Sequence, residues 1–386
     1  ISDSVFNDWG TMDAEAIQKF LRARVPECTN NRGQKCLVEY KEDVVGSVAI
    51  RSKLHSYSLA ICAEVPAAKS RTAAQIISSV ATACKINPRV LLVTLQKEQG
   101  LVTSTNPTTY MYEAAMGYGC PDSAPEICGQ DSNASSRLFW QLYRAAWQLK
   151  WYGDPRGSFT FLKPGKTISM GYNPNTSCGR KSFKLKSQAT AKLYYYTPYV
   201  PNQAALDNLW GVGNSCSAYG NRNFWRQFWT WFGSPVAGGY LLKSSTSQTY
   251  LVNQLTSKRY LISNEALTAD FEPLGPLGTV SEIYMSSFTD AGELKNLVAD
   301  PTGARYLITS GQKYQISSAA QAAALGLDWV TAPVLTDVQI SNFGDLTFAK
   351  SATTDEVFLL QGTTRALVNN AAQLKTLGAM GSTAVI

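Results

Sequence analysis

The chain has 386 residues, of which 45% are apolar, 16% charged and 11% aromatic. Low charge with abundant core formers excludes disorder, and at roughly 150 residues per domain the length suggests two or three domains. No apolar run approaches the roughly 18 residues that span a bilayer, and the net charge is +7. The start at Ile1, without a Met or a basic-then-apolar leader, reads as a mature, processed form. His55 is the only histidine, in a polar loop. A His-pair metal site or two-His relay is therefore excluded, Ser and Cys nucleophiles lack a partner base, and with no GxGxxG or Walker-type loop no cofactor is expected.

The eight cysteines all precede residue 217. An even count without CxxC spacing, and without histidines to complete a zinc site, favours disulfides and an oxidising compartment. Of the 105 possible pairings, sequence proximity favours Cys28–Cys36, Cys62–Cys84, Cys120–Cys128 and Cys178–Cys216. Charge divides the chain near the same place. Residues 1–233 hold 26 Lys and Arg against 16 Asp and Glu, residues 234–386 hold 9 against 12, and eight of the nine tryptophans are in the first part. A basic, aromatic-rich surface suits an anionic polymer. A disulfide-bonded secreted chain more often meets wall or glycan than nucleic acid, and the alternative is that most of these aromatics are core.

Residues 87–101 carry the strongest local signal. Asn87 is an N-cap, Pro88 takes the first helical position and Gly100 stops the helix. Leu91, Leu95 and Glu98 fall at i, i+4 and i+7 and so share one face. Glu98 therefore projects from an apolar stripe in the last helical turn, where burial and the helix dipole both favour a neutral carboxyl able to donate a proton. The alternative is that Glu98 pairs with a buried Arg or caps a loop. For a second carboxylate the candidates are Glu113, Asp122, Glu126 and Asp131, with Asp122 preferred because it follows the Gly-rich turn at 115–121; ordinary turn chemistry is its other reading.

Residues 138–152 read as an amphipathic helix ending in Trp151 and Tyr152, which could stack on sugar. Tyr112, Tyr118, Tyr172, Asn173, Tyr195 and Tyr199 complete the candidate substrate-binding set. The Tyr194-Tyr195-Tyr196 run cannot all face one way, so one or two are core and one could line the groove, and Trp225, Trp229 and Trp231 are expected to close the domain as core.

A Gly- and Pro-punctuated linker occupies 234–239, so the expected domains are 1–233 and 240–386. In the second, three units superpose: strands around Tyr250 and Tyr260, around Tyr306 and Tyr314, and around Phe358 and Leu367, each followed by a short helical piece. The anchors Tyr250, Tyr306 and Phe358 are 56 and 52 residues apart. Repeats of this kind stack on neighbours to bury a face. With few chemically active side chains, they read as a binding or spacer module. The fold class is thus α+β: a mostly helical, disulfide-bonded first domain and a β-rich three-repeat second domain.

Residues 86–101 resemble the catalytic helix of the soluble lytic transglycosylase and goose-type lysozyme superfamily. Ala115-Met116-Gly117-Tyr118-Gly119-Cys120-Pro121 is similar to its Gly-Leu-Met-Gln-x-x-Pro turn, Gly171-Tyr172-Asn173-Pro174 to its Ala-Tyr-Asn-x-Gly segment, and Tyr199-Val200 to its closing Tyr-Val. Gln99 stands where the family has Ser, and Tyr118 where it has Gln. The first domain also resembles secreted actinobacterial proteins labelled hemagglutinin. The resemblance implies a lysozyme-like fold and Glu98 as general acid on a β-1,4 aminosugar polymer, peptidoglycan foremost, by hydrolysis or transglycosylation. The chain is then secreted, extracellular or wall-associated, with cell-wall polysaccharide or another glycan as partner. The rival readings are a chitin-type glycanase and a non-catalytic glycan-binding adhesin.

Overall fold

The computed structural model describes residues 1–48, 61–120, 128, 137–246, 248–351, 353–354, 356–361, 364–368 and 384–385. The chain is an α+β protein that divides into two units, Ile1–Ala237 with Val280–Tyr284, and Gly238–Thr279 with Met285–Ile386. No helix among the described residues is long and apolar enough to cross a membrane. His55 and the third repeat's expected helix at 370–377 lie outside the described residues.

The first unit is helical: α1 (Asp3–Asn7), α2 (Ala14–Arg24), α3 (Ala73–Cys84), α4 (Pro88–Gln99), α5 (Thr109–Glu113), α6 (Arg137–Trp151), α7 (Gln188–Tyr196), α8 (Gln203–Asp207) and α9 (Gly220–Phe232). Among the described residues two antiparallel pairs accompany them, β1 (Lys41–Val44) with β2 (Ala68–Thr72), and β3 (Thr167–Gly171) with β4 (Arg180–Lys184). The local chemistry sets the helix ends. Thr72 and Gln75 form a reciprocal capping box at the start of α3. For α4 the limits are those its residues dictate, with Asn87 capping, Pro88 first and Gly100 left-handed at φ 63°.

α3 packs on α2, α4 and α6, and α4 packs on α9. The shared core includes Ile77, Leu91, Leu95, Phe139, Tyr143 and Trp147, each no more than 1% exposed. At about 1.5–3 kcal/mol per large buried apolar side chain, this seam fixes the orientation of α4. Asn87 adds a polar clamp while only 1% exposed. Its Oδ1 accepts from Arg89 N at 2.9 Å and Thr11 Oγ1 at 2.6 Å, and its Nδ2 donates to Val5 O at 2.7 Å.

Glu42 plays a comparable part at the start of α6. Its carboxylate accepts from Phe139 N at 2.7 Å, Leu138 N at 3.1 Å and Tyr40 OH at 2.8 Å, which places negative charge at the positive end of the helix. The four disulfides are Cys28–Cys36, Cys62–Cys84, Cys120–Cys128 and Cys178–Cys216. They follow sequence proximity, and they imply an oxidising compartment.

One expectation is overturned in α9. Phe224 and Phe228 are buried at i and i+4, and this turns Trp225 and Trp229 outward at 43% and 51% exposure. Trp231 does pack inward, edge-on to Phe20 at 5.2 Å.

Among the described residues the second unit forms three small sheets. In the first, β5 (Leu241–Lys243), β6 (Thr249–Asn253) and β7 (Lys258–Leu261) form an antiparallel meander, flanked by β8 (Gly278–Thr279) parallel to β5 and β9 (Thr289–Glu293) parallel to β7. The second meander is β10 (Leu297–Ala299), β11 (Arg305–Thr309) and β12 (Gln312–Ile316), with β13 (Gly344–Asp345) parallel to β12. The third is β14 (Phe348–Lys350), β15 (Val357–Gln361) and β16 (Thr364–Leu367), with β17 (Ala384–Val385) parallel to β14.

Each first strand therefore receives a parallel return: Leu242 from Gly278, Ala299 from Val334 and Ala349 from Ala384. β9 and β13 each pair with the last strand of the preceding meander, which ties successive sheets together. Leu251, Val298, Ile308 and Leu335 form the fully buried centre.

Asn87→Ala removes three hydrogen bonds from a buried amide and should cost about 1–3 kcal/mol in urea unfolding; a loss below about 0.5 kcal/mol would contradict its role. Burial is the largest influence on Glu42 and pushes its carboxyl above the ordinary range, against the hydrogen bonds it accepts. A carboxyl raised on folding contributes stability below its unfolded value and loses it as pH rises through the raised one. Glu42→Gln should thus cost more, relative to wild type, near pH 5 than near pH 7. Urea midpoints at the two pH values test the sign, and a larger penalty at the higher pH would refute it.

Candidate active site

The last turn of α4 presents Glu98, whose side chain is 24% exposed, while Leu91 and Leu95 on the same face are fully buried. Helical spacing thus brings the carboxyl to the edge of the core. Its neighbour Lys97 bends back over the same end. Lys97 Nζ lies 2.5 Å from Glu98 Oε1 with only 8% of its side chain exposed. The ammonium also donates to Thr197 Oγ1 at 3.3 Å and lies 4.9 Å from the centre of the Tyr196 ring. Lys97 is therefore fixed on three sides, and it fixes one carboxyl oxygen in turn.

The other oxygen faces the 115–118 turn. Gly117 there is left-handed, with φ 69°. A Cβ on Gly117 would stand 3.2 Å from Glu98 Oε2 and 3.6 Å from the Tyr196 hydroxyl. Glycine thus answers two demands at once, backbone conformation and close approach to the carboxyl.

The turn is held by a single buried amide. Gln141 Oε1 accepts from Met116 N and Tyr118 N, both at 3.2 Å, and its Nε2 donates to Tyr118 O at 2.9 Å. From the other side the Tyr196 hydroxyl donates to Met116 O.

Tyrosines surround this arrangement. Burial, then the charge of Glu98, then Tyr152 push the Tyr196 hydroxyl well above its ordinary range, so it remains a neutral donor. Tyr152 is raised by burial foremost and feels Tyr118 as well. Tyr152 stacks on Tyr195 at 5.4 Å and meets Phe159 edge-on at 4.9 Å. Arg144 sits 4.7 Å over the Tyr118 ring. The result is a carboxyl with one oxygen clamped and one facing a glycine turn, beside Tyr196 and close to further tyrosines. Such a site can donate or accept a proton at Oε2 and offer aromatic faces to a polar ligand.

Of the residues singled out from sequence, Glu98, Tyr118 and Tyr152 come together here. Tyr195 stands one layer out, its hydroxyl accepting from Leu162 N at 2.6 Å. Tyr199 and Asn173 line a separate cavity of about 560 Å³ beside the β3–β4 hairpin. Asn173 also organises its own turn by accepting from Asn175 N at 3.0 Å, while Tyr172 packs beside Leu162 and Met170.

Two of the expected ligand contacts are core instead. Tyr112 is completely buried, stacked on Tyr40 at 4.0 Å, with its hydroxyl donating to Lys35 O. Trp151 is 4% exposed and stacks on Trp147 at 5.3 Å. Each faces inward because its helix turns that position toward neighbouring helices. Glu113 is taken up by Arg137 at 3.0 Å, and Asp122, Glu126 and Asp131 lie outside the described residues.

Sequence reasoning missed Lys97 and Gln141, and left open which member of the 194–196 tyrosine run reaches the site; it is Tyr196. A signal existed for Gln141, an amide set among the apolar positions of α6, and for Lys97, an amphipathic cation directly beside Glu98. No group of three or more His, Cys, Asp or Glu able to hold a metal ion occurs among the described residues.

No curated protein and no solved structure matches the chain. Residues 3–164 match the family described as LasA, N-terminal domain. That match overturns the resemblance of residues 86–121 and 170–200 to soluble lytic transglycosylases and goose-type lysozymes, and with it the likeness to proteins labelled hemagglutinin. An Asn-capped, Pro-started helix ended by a left-handed glycine is a general solution to helix termination, so it says little about the fold around it. The helical region of this chain, through residue 164, is similar to the LasA N-terminal domain.

Proposed function

We propose that this protein is a secreted, wall-associated glycan-cleaving enzyme acting on a β-1,4 aminosugar polymer such as peptidoglycan, with Glu98 as the proton donor. The observation that carries this reading is the asymmetry of the Glu98 carboxyl. Oε1 is clamped by Lys97 and Oε2 faces the bare backbone at Gly117. In this reading Glu98 delivers a proton from Oε2 to the glycosidic oxygen as the C1–O bond breaks, leaving a carboxylate. Water then adds to C1 and its released proton returns to Glu98. Tyr118 and Tyr152 offer faces on which sugar rings stack, and the Tyr196 hydroxyl keeps the turn in place. The basic first part of the chain suits an anionic wall. The repeats of the second unit hold the enzyme on its polymer.

A second reading, a glycan-binding protein without catalysis, is favoured by the Lys97–Glu98 ion pair itself. A carboxylate clamped by a nearly buried ammonium can be a structural partner and nothing more.

Incubating the protein with bacterial cell walls and, separately, with chitin oligomers distinguishes the two readings. Mass spectrometry should find fragments that have gained water. Glu98→Gln, nearly isosteric, should lower the rate by about 10²–10⁴-fold while leaving folding and sedimentation with the polymer intact. Equal turnover by wild type and Glu98→Gln would exclude this residue as the acid. Binding to walls without any product from wild type would establish the second reading.

A further inference from the structure

Between Asp154 and Asp207 the sequence has eight Lys and Arg and no acidic residue. The structure folds the middle of this stretch into the β3–β4 hairpin, with Thr167 opposite Lys184 and Gly171 opposite Arg180. Arg180, Lys181 and Lys184 are exposed on β4, and Lys163, Lys166 and Lys186 are exposed at its base. The base is pinned where Gly165 N donates to Leu185 O at 2.7 Å and Leu185 N donates to Lys166 O at 2.9 Å. None of these six side chains is ion-paired with a carboxylate among the described residues. With no acidic residue between Asp154 and Asp207, this segment carries a net positive charge that favours an anionic ligand.

A groove adjoins Arg180. The cavity of about 560 Å³ is walled by Ile168, Met170, Arg180 and Tyr199, with Phe161 on its rim. Phe161 is 70% exposed, and Tyr195 supports it edge-on at 4.9 Å. Arg180 is held in place because its guanidinium donates to Ser169 Oγ at 3.1 Å and to Ser169 O at 2.6 Å. The site thus joins one exposed aromatic face to a preset guanidinium, on a hairpin whose strand and base carry exposed lysines.

We propose that this hairpin and groove bind an anionic glycan, a chain of pyranose rings bearing carboxylate or phosphate groups. A ring stacks on Phe161 while Arg180 and the lysines take the acidic groups. A glycan fits better than a nucleic acid on two grounds. The four disulfides imply an oxidising compartment, and the groove offers one exposed ring rather than the succession of rings on which a single strand stacks. The binding site stands apart from proton transfer at Glu98, since retention on a polymer is read without cleavage.

The test uses the full chain on immobilised polygalacturonate, which carries carboxylates, and phosphomannan, which carries phosphates. Neutral dextran and a single-stranded DNA oligomer are the comparisons. At least one acidic glycan should retain the protein at low salt and release it as salt rises, with dextran failing to retain it. The stronger of the two identifies the acidic group. The triple variant Lys181→Gln, Lys184→Gln, Lys186→Gln should bind about tenfold more weakly, with its thermal unfolding midpoint unchanged. Phe161→Ala should lose several-fold on the glycan, and it provides a second readout should the triple variant fold poorly. Wild-type affinity in both variants would overturn the proposal, as would retention on dextran equal to that on the acidic glycans. Tighter binding to DNA than to either glycan would overturn it in favour of a nucleic-acid surface.

Discussion

A single buried amide organises the candidate site. Gln141 lies in the apolar stripe of α6 and satisfies three backbone groups of the 115–118 turn, two N–H donors and one carbonyl. Each would carry a desolvation cost of about 1–3 kcal/mol if buried without a partner. The turn thereby acquires one conformation, which sets Gly117 against Glu98. Position along α6 consequently determines what the end of α4 faces. The core between these helices therefore governs the chemistry at Glu98 as much as Glu98 itself does.

The same logic extends to α7. Asp3 caps its start, accepting from Ala189 N at 2.7 Å and Gln188 N at 3.4 Å, and burial is the largest influence raising that carboxyl. Lys192 follows on the same helix, buried, lowered by burial and opposed by Asp3. Buried charges of this kind add little net stability yet penalise any arrangement that separates them. They fix the rotation of α7, and its last residue, Tyr196, then reaches Met116 and Glu98. Helices α4, α6 and α7 thus each bring one element of the site, and none carries it alone.

Much of this was legible in the sequence wherever the determinant was local. Asn87, Pro88 and Gly100 define α4 because capping operates within a few residues. Nearby cysteines pair because short loops cost the least closure entropy. The hairpins around Tyr250, Tyr306 and Phe358 form where alternation predicts them. What failed depended on tertiary direction. Tyr112 and Tyr196 are equally aromatic in sequence, but helix orientation seals one against Tyr40 and delivers the other to Glu98. Trp225 and Trp229 were expected in the core because bulk suggested burial, whereas Phe224 and Phe228 occupy the inward face of α9. Lys97 was visible in sequence as a cation beside Glu98, but its return over the helix end, onto the carboxyl, Thr197 and the Tyr196 ring, depends on tertiary direction. The family resemblance failed for a related reason, since short helix-end motifs recur wherever helices end.

The most direct test of the account is a crystal structure of Glu98→Gln with an aminosugar oligomer bound. A glycosidic oxygen within hydrogen-bond distance of the position-98 side chain, on the side of Gly117, with sugar rings against Tyr118 or Tyr152, is the predicted result. An oligomer bound elsewhere on the first unit, with Lys97 still enclosing the position-98 side chain and no sugar near it, would contradict it.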